Sequence, residues 1–399
     1  MRIIVIGMGP AGLSAALRAV EAGHDVRLIS KGEGGFQLSQ GTLDVLASLD
    51  GHQIDQPLVA IASLGPEHPY AGIGADRVRE AVNWAAERIG PELLVGSAEH
   101  NLVLPTAVGA MRPTAFAQPS MVAAAATREY AVVGVRQLKD MPAELMAGNL
   151  GAESAWIDLP ARAGEQDPTS LTYARALEDP EFADRFADAV AKAAPPGEVI
   201  LLPGVLGTRP GTWRRIRDRI GREIAEVPLV PPSVPGIRLH DAMVAAIRAA
   251  HVKVVIGSRV VGFEADGDRL SGVRVGIAGR TRTFGADAVI HAPGGFSSGA
   301  LDVDSYGRIT ERVFGLPLTA DDATGLITPS WFDPQPLFEV GVRADVHGRA
   351  VNADNEPVFR NLYVAGDIIA GAQRWIEKSG EGTAIATALR AADGLAEGA

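Results

Sequence analysis

Met1-Arg-Ile-Ile-Val-Ile-Gly-Met-Gly-Pro-Ala-Gly12 opens the chain and decides how the rest is read. The apolar run Ile3–Ile6 suits a buried strand, and the alanine-rich stretch Leu13–Ala22 has helical character. Between them stand Gly7, Gly9 and Gly12, in the strand–turn–helix setting that a dinucleotide-binding fingerprint requires. Gly7 permits the tight turn, Gly9 lets backbone approach a phosphate, and Gly12 lets the helix pack closely on the strand. The helix start, with Pro10 and Ala11, offers unpaired N–H groups and the positive end of its dipole. A nucleotide-type cofactor is therefore expected at Gly7, Gly9, Pro10, Ala11 and Gly12.

The next strand, Asp25–Ser30, ends without the acid that usually holds an adenosine ribose in such folds. Ser30-Lys31-Gly32 stands there instead. A lysine supplies charge and three donors but no acceptor, so it favours a phosphate over a ribose diol. Two readings follow: the cofactor lacks the adenosine half, or its ribose is held differently.

Composition narrows the class. A chain of 399 residues with 47% apolar and 21% charged residues can bury a sizeable core, as two or three domains or one cofactor domain with a large insertion. Its net charge of −11 argues against nucleic acid, which is bound through clustered Lys and Arg. There is no cysteine, which excludes disulfides, thiol catalysis and thiolate-ligated iron–sulfur clusters within the chain, and no metal site is expected. No run approaches the roughly 20 apolar residues that span a bilayer. Arg2 and the apolar stretch after it imitate a signal peptide, but three glycines at fingerprint spacing favour the cofactor strand. A cytoplasmic location is expected.

Along the chain, residues 1–31 read as β–α–β, and Arg77–Ile89 has helical periodicity through Val78, Ala81, Ala85 and Ile89. From about 95 to 230 the pattern is irregular and proline-dotted, with strand candidates at Ala131–Val135 and Val199–Leu202 and a helix candidate at Pro180–Ala193. It does not read as repeated βαβ units. The α/β rhythm returns near Ser233, with a helix at Leu239–Ala250, a strand at Val252–Ile256, a meander and a buried strand at Ala288–Ala292. The expected fold is a Rossmann-like α/β flavoprotein with an inserted α+β domain. Residues 1–94, 231–302 and 346–399 form the discontinuous cofactor domain; residues 95–230 and 303–345 form the insertion.

Two further glycine patches give the first one its meaning. Leu362-Tyr-Val-Ala-Gly-Asp367 places Gly366 and Asp367 at the carboxyl end of a strand, where open α/β sheets bind ligands. Asp367 can accept a ribityl hydroxyl, and the helix start at Gly382-Thr383 can offer N–H groups to a flavin ring or phosphate. Ala288-Val-Ile-His-Ala-Pro-Gly-Gly295, with Gly294, supplies a second strand-to-loop crossing. The three patches resemble those of flavoproteins of the glutathione-reductase and fumarate-reductase type.

Longer blocks resemble one family in particular. Gln37-Leu-Ser-Gln-Gly-Thr-Leu-Asp-Val-Leu46, His68-Pro69-Tyr70, Leu104–Thr114, Pro232-Ser-Val-Pro-Gly-Ile-Arg-Leu239, Gly294-Gly-Phe-Ser-Ser-Gly-Ala-Leu301 and Pro334–Val342 are similar to the B subunits of anaerobic glycerol-3-phosphate dehydrogenases, in collinear order from Met1 to about Ala391. The basic residue Lys31 matches that family, whereas Trp375-Ile-Glu-Lys-Ser-Gly-Glu-Gly382 departs from the glycine-rich stretch expected there. The resemblance implies an FMN-containing protein, with FAD as the alternative, and adds Gly41 and Thr42 to the cofactor residues. It implies oxidation of glycerol 3-phosphate to dihydroxyacetone phosphate, together with two partners, an FAD-containing dehydrogenase chain and an iron–sulfur chain at the membrane. Electrons would leave toward menaquinone, and the complex would sit on the inner face of the membrane through its partners. Two other functions fit the residues: a self-sufficient fumarate-reductase-like flavin oxidoreductase acting on a small acid, and a noncatalytic chain that supports its complex.

Catalytic candidates are sparser. Removing hydride from a secondary alcohol calls for a general base, for which His291 and His240 are candidates. A substrate phosphate or carboxylate calls for a guanidinium fork, for which Arg112 and Arg343 are candidates. Each of the four also has an ordinary structural use, the histidines as packed or solvent-facing side chains and the arginines in a salt bridge or on the surface.

Overall fold

The computed structural model describes residues 1–277, 279–330 and 333–396. The chain opens with β1 (Arg2–Ile6), α1 (Pro10–Glu21) and β2 (Asp25–Ser30), followed by α2 (Ala75–Ile89). Pro10 sits in the first turn of α1, where its missing N–H costs nothing. The apolar stripe of α2, Val78, Ala81, Val82, Ala85 and Ile89, is buried as its spacing predicts.

The inserted segment contains β3 (Tyr130–Val135), α3 (Ala143–Leu150), β4 (Glu153–Ile157), α4 (Pro180–Ala193), β5 (Val199–Pro203), α5 (Thr212–Ile220) and β6 (Glu223–Val227). These four strands pair in parallel, in the order β4-β3-β5-β6, and antiparallel pairs join Val95–Gly96 to Phe116–Ala117 and Leu102–Pro105 to Met111–Thr114 ahead of them. The insertion thus combines antiparallel pairs with a sheet built of βαβ units, and it is those units that the sequence does not announce. Its edge strand β4 is half-polar and is followed by a long proline- and glycine-bearing connection, so the repeat is hidden in the sequence.

The remaining elements rebuild the first sheet. They are α6 (Val234–Ala249), β7 (Lys253–Ile256), the antiparallel meander β8 (Arg259–Asp266), β9 (Arg269–Ile277) and β10 (Arg280–Gly285), then β11 (Ala288–His291), β12 (Leu362–Val364) and α7 (Gly380–Gly394). Helix α6 begins five residues before the periodicity suggests. The Ser233 side chain accepts the Gly236 N–H at 3.2 Å, and Pro235 presets the first turn.

The main sheet is parallel throughout, in the order β7-β2-β1-β11-β12. The order in which strands are added switches sides between β1 and β11, which leaves a crevice at the carboxyl ends. Side chains of β1 alternate between two cores. Ile3 and Val5 join the helices α1, α2, α6 and α7, whereas Ile4 and Ile6 face the meander.

Phe314, Leu316 and Val342 pack into this second core beside Ile4, Val260 and Val289. Residues 303–345 therefore pack with the cofactor sheet, not with the insertion. The sequence shows no periodicity there because the segment is held by turns and two-stranded pairs. Trp331 and Phe332 in that segment, and residues 397–399 of the closing segment, lie outside the described residues. The insertion has its own core around Val132, Phe186, Leu201 and Ile216. Among the described residues, no helix is long and apolar enough to cross a membrane.

Candidate cofactor site

A cavity of about 580 Å³ lies over the carboxyl ends of the main sheet. It is lined in turn by Arg259 beyond β7, Lys31 after β2, Gly9 after β1, Gly294 after β11 and Asp367 after β12. Strands lie roughly 4.8 Å apart, so a groove across five of them reaches about 19 Å.

Two glycines keep it open. Gly7 has φ +105°, and a Cβ there would lie 2.0 Å from the Ala292 carbonyl oxygen, so neither conformation nor space admits a side chain. Gly9 is different: the nearest atom to a Cβ would be 3.9 Å away, which leaves the approach to the helix start clear. Gly9 is also the N-cap of α1 and makes no side-chain cap, so the first-turn N–H groups of α1 are available to an anion. Gly12 packs against Gly7, with a would-be Cβ 2.0 Å from the Gly7 oxygen, and does not line the cavity.

The end of β2 explains the missing acid. Ser30 Oγ donates to the Gly32 carbonyl at 2.6 Å, and Lys31 Nζ donates to the Ser298 carbonyl on the far side of the mouth. The lysine ties two loops together there. Beyond it, Ser258, Arg259, Val260 and Val261 extend the lining past β2.

The opposite end is charged. Asp367 pairs with Arg374 at 2.5 Å, and burial, opposed by that arginine, pushes its carboxyl up to about 6. Glu381, half-buried in the first turn of α7, is pushed up to about 7 by burial and by the charge of Asp44. Thr383 Oγ1 is buried, belongs to a lining residue and has no hydrogen-bond partner among the described residues. The amides of Gly382 and Thr383 are engaged by the carbonyls of Asp44 at 2.8 Å and Ser379 at 2.9 Å. That corrects the expectation that they serve a cofactor; the free group is the Thr383 hydroxyl.

Behind Glu381 lies a polar network. Asp44 accepts Thr114 Oγ1 at 2.6 Å and Arg112 Nη1 at 3.2 Å, and Arg112 Nη2 closes the fork on its other oxygen. Nearby, His68 Nε2 meets Glu377 at 3.2 Å, and Ser379 Oγ donates to the same carboxylate at 2.7 Å.

Of the sequence-derived cofactor residues, Gly7, Gly9, Pro10, Ala11, Ser30, Lys31, Gly294, Gly366, Asp367 and Thr383 line one cavity. Gly12, Gly41, Thr42 and Gly382 do not. Gly41 abuts Pro235 and Gln118, and the Thr42 hydroxyl donates to Asp44 at 3.2 Å. The catalytic candidates stand elsewhere. His291 is fully buried, bonded to Glu311 at 3.0 Å and edge-on to Phe314. His240 is buried in α6, where desolvation lowers its pKa. Arg112 is clamped by Asp44, and Arg343 is exposed on a short strand away from the lining. Arg259, Arg374 and Glu381 escape sequence reasoning, because no local pattern marks a charged side chain that tertiary structure turns into a cavity.

An uncapped helix start beside an open glycine, and an orphaned hydroxyl at the far end, suit a long, phosphate-bearing, ring-ended ligand. Residues 2–383 match a family described as an FAD binding domain, and fold and site together define a flavoprotein. A protein of Halobacterium salinarum (strain ATCC 29341 / DSM 671 / R1), named as the probable B subunit of an anaerobic glycerol-3-phosphate dehydrogenase, is 31% identical over 425 residues, covering 99% of this chain and 97% of its own. The anaerobic glycerol-3-phosphate dehydrogenase B subunit of Yersinia enterocolitica serotype O:8 is 30% identical over 415 residues, covering 98% and 97%. The chain belongs to this family, the B subunits of anaerobic glycerol-3-phosphate dehydrogenases. Among solved structures, the open conformation of a flavocytochrome c3 fumarate reductase aligns over 100% of this chain and 78% of its own, with 11% identity and a TM-score of 0.46, too distant to bear on function.

Proposed function

We propose that this chain is the flavin-carrying B subunit of a complex that oxidises sn-glycerol 3-phosphate to dihydroxyacetone phosphate. Electrons pass on through an iron–sulfur partner to a quinone. The observation that carries the reading is the glycine-cradled cavity over all five strand ends, in a chain that matches relatives of that name from end to end. A bound flavin supplies reversible acceptance of an electron pair. The turn at Gly7 and the start of α1 hold its phosphate. Asp367 accepts a ribityl hydroxyl, and the Thr383 hydroxyl fixes the ring end.

FAD is the flavin we assign, reversing the preference for FMN that the family resemblance implied. The family description supports it, and so does the lining that continues past β2 to Val261, a stretch that the adenosine half would use and a mononucleotide would not reach. The cysteine-free sequence supports delivery of electrons to a separate metal-bearing partner. Contact with the cytoplasmic face of the membrane is assigned to the partners.

Mass measurement of the cofactor released from purified protein tests the assignment. FAD is expected, FMN would confine the ligand to half the groove, and a nicotinamide would overturn the flavin reading. Reconstitution tests the rest: glycerol 3-phosphate should reduce a quinone only when this chain is assembled with its FAD-containing and iron–sulfur partners. Quinone reduction by the isolated chain would sink the partner reading.

A further inference from the structure

Two carboxyl groups, Asp367 and Glu381, belong to described residues that line the cavity. Their situations differ. Asp367 is neutralised by Arg374 at 2.5 Å. Glu381 has no ion-pair partner among the described residues, although it stands near the Asp44–Arg112 pair, Arg374 and the Tyr70 phenol. The Arg112 fork is closed on Asp44 and cannot also clamp Glu381. Glu381 sits in the first turn of α7, two residues from the unpartnered Thr383 hydroxyl, at the ring end of the site. It is a carboxyl group held in the cavity and left free to change its charge.

We propose that Glu381 is the proton-exchanging group of the flavin cavity: its carboxylate takes up one proton as the bound flavin is reduced and releases it on reoxidation. The proposal rests on the flavin reading above. Reduction places an electron pair, supplied by a two-electron donor, in a confined space. The added negative charge raises the proton affinity of an adjacent acid. One O–H bond forms on Glu381 with a proton from solvent, in addition to any proton carried by the flavin itself. Reoxidation reverses both changes. A free-standing group whose carboxyl already lies near neutrality responds to such a charge, whereas Asp367, tied to Arg374, is buffered against it.

Reduced-minus-oxidised infrared difference spectra of the flavin-loaded protein at pH 8, with dithionite as donor, test the proposal. Wild-type protein should gain a band of a protonated carboxyl group that moves down in D2O. Glu381→Gln should lose that band, Glu381→Asp should retain it at a shifted position, and dye-monitored uptake should fall by up to one proton per electron pair in Glu381→Gln. An unchanged band and unchanged uptake in Glu381→Gln, with flavin content equal to wild type, overturn the proposal. If Glu381→Gln holds no flavin, the wild-type spectrum decides alone: no D2O-sensitive carboxyl band means no exchanging acid. Wild-type protein that takes up no flavin fails the underlying reading instead, so the two failures are told apart.

Discussion

The described residues form two parallel sheets, and a wide cavity opens across the strand ends of the first. In the main sheet the crevice at the β1/β11 reversal is floored by Gly7 and Gly9 and stays open across five strand ends. The order of strands in the inserted sheet reverses likewise between β3 and β5, yet a buried ion pair occupies the lip of that crevice. Glu226, near the end of β6, accepts the Leu206 amide at 2.7 Å and the Arg238 guanidinium at 2.7 and 2.9 Å. Arg238 also donates to the Gly207 carbonyl at 2.6 Å and to Gln118 at 3.0 Å. The two charged side chains are 2% and 0% exposed. Because Arg238 comes from α6, which packs on the main sheet, this second crevice is the joint between the two units. Sheet topology supplies a crevice in both cases; the residues at its lip decide whether it becomes a site or a fastening.

The largest expected effect breaks the open crevice. Gly7→Ala combines a φ of +105° with a backbone collision at 2.0 Å, and neither can relax without moving Ala292 and the turn. The purified variant should be colourless and should unfold at a lower temperature than wild type. Gly204→Ala makes the matching intrusion in the closed crevice, 2.8 Å from the Val227 oxygen. It should lower the unfolding temperature while visible absorbance shows the flavin retained.

The fastening comes next. Arg238→Met leaves Glu226 charged and buried without its partner, which costs about 3–5 kcal/mol. Urea unfolding should register that loss with the flavin still bound at low denaturant. Arg238→Met combined with Glu226→Leu should recover part of it, since the unpaired charge is gone. Recovery stays partial because the Leu206 amide loses its acceptor. A double variant weaker than Arg238→Met would show that the pair does more than cancel charge.

This contrast also explains what can be read from sequence. The cradle is legible because Gly7 is a local necessity: a turn that only glycine can make announces itself wherever the strand before it and the helix after it are apolar in the right period. The fastening is not. Arg238 and Glu226 are 12 positions apart on a helix and a strand of different units, and a buried pair looks in sequence like two surface charges. The inserted sheet is obscured for a related reason: β3 and β5 are apolar enough to be seen, whereas edge strand β4 alternates weakly. Segment 303–345 is misplaced by a reading of periodicity because its few core residues, such as Phe314 and Val342, lack a period. Glu381 stands within a recognisable stretch, but its meaning depends on the cavity it faces.

The smallest expected effect compares the acids that line the open crevice with acids held by buried histidines. In flavin-free protein, Asp367 and Glu381 are raised to about 6 and about 7, chiefly by burial, so their ionisation opposes folding. That penalty is absent below the unfolded carboxyl range near pH ~4 and complete above the folded values, so stability should rise as pH falls from about 8 toward about 5. Glu311 and Glu377 behave oppositely. Burial opposes their ionisation, but the hydrogen bonds and charge of His291 and His68, with backbone donors, hold both below the usual range. Their contribution is present above pH ~4.3 and is lost as pH falls through the folded values. Urea midpoints against pH should therefore pass through a maximum on the acid side of neutrality. Glu381→Gln should flatten the upper limb by no more than about 1–2 kcal/mol, since the group opens onto solvent. Glu311→Gln should flatten the lower limb and leave the upper one alone. An upper limb that survives Glu381→Gln and Asp367→Asn together would mean that the open crevice stores no charge of its own, and the difference between the two crevices would reduce to shape.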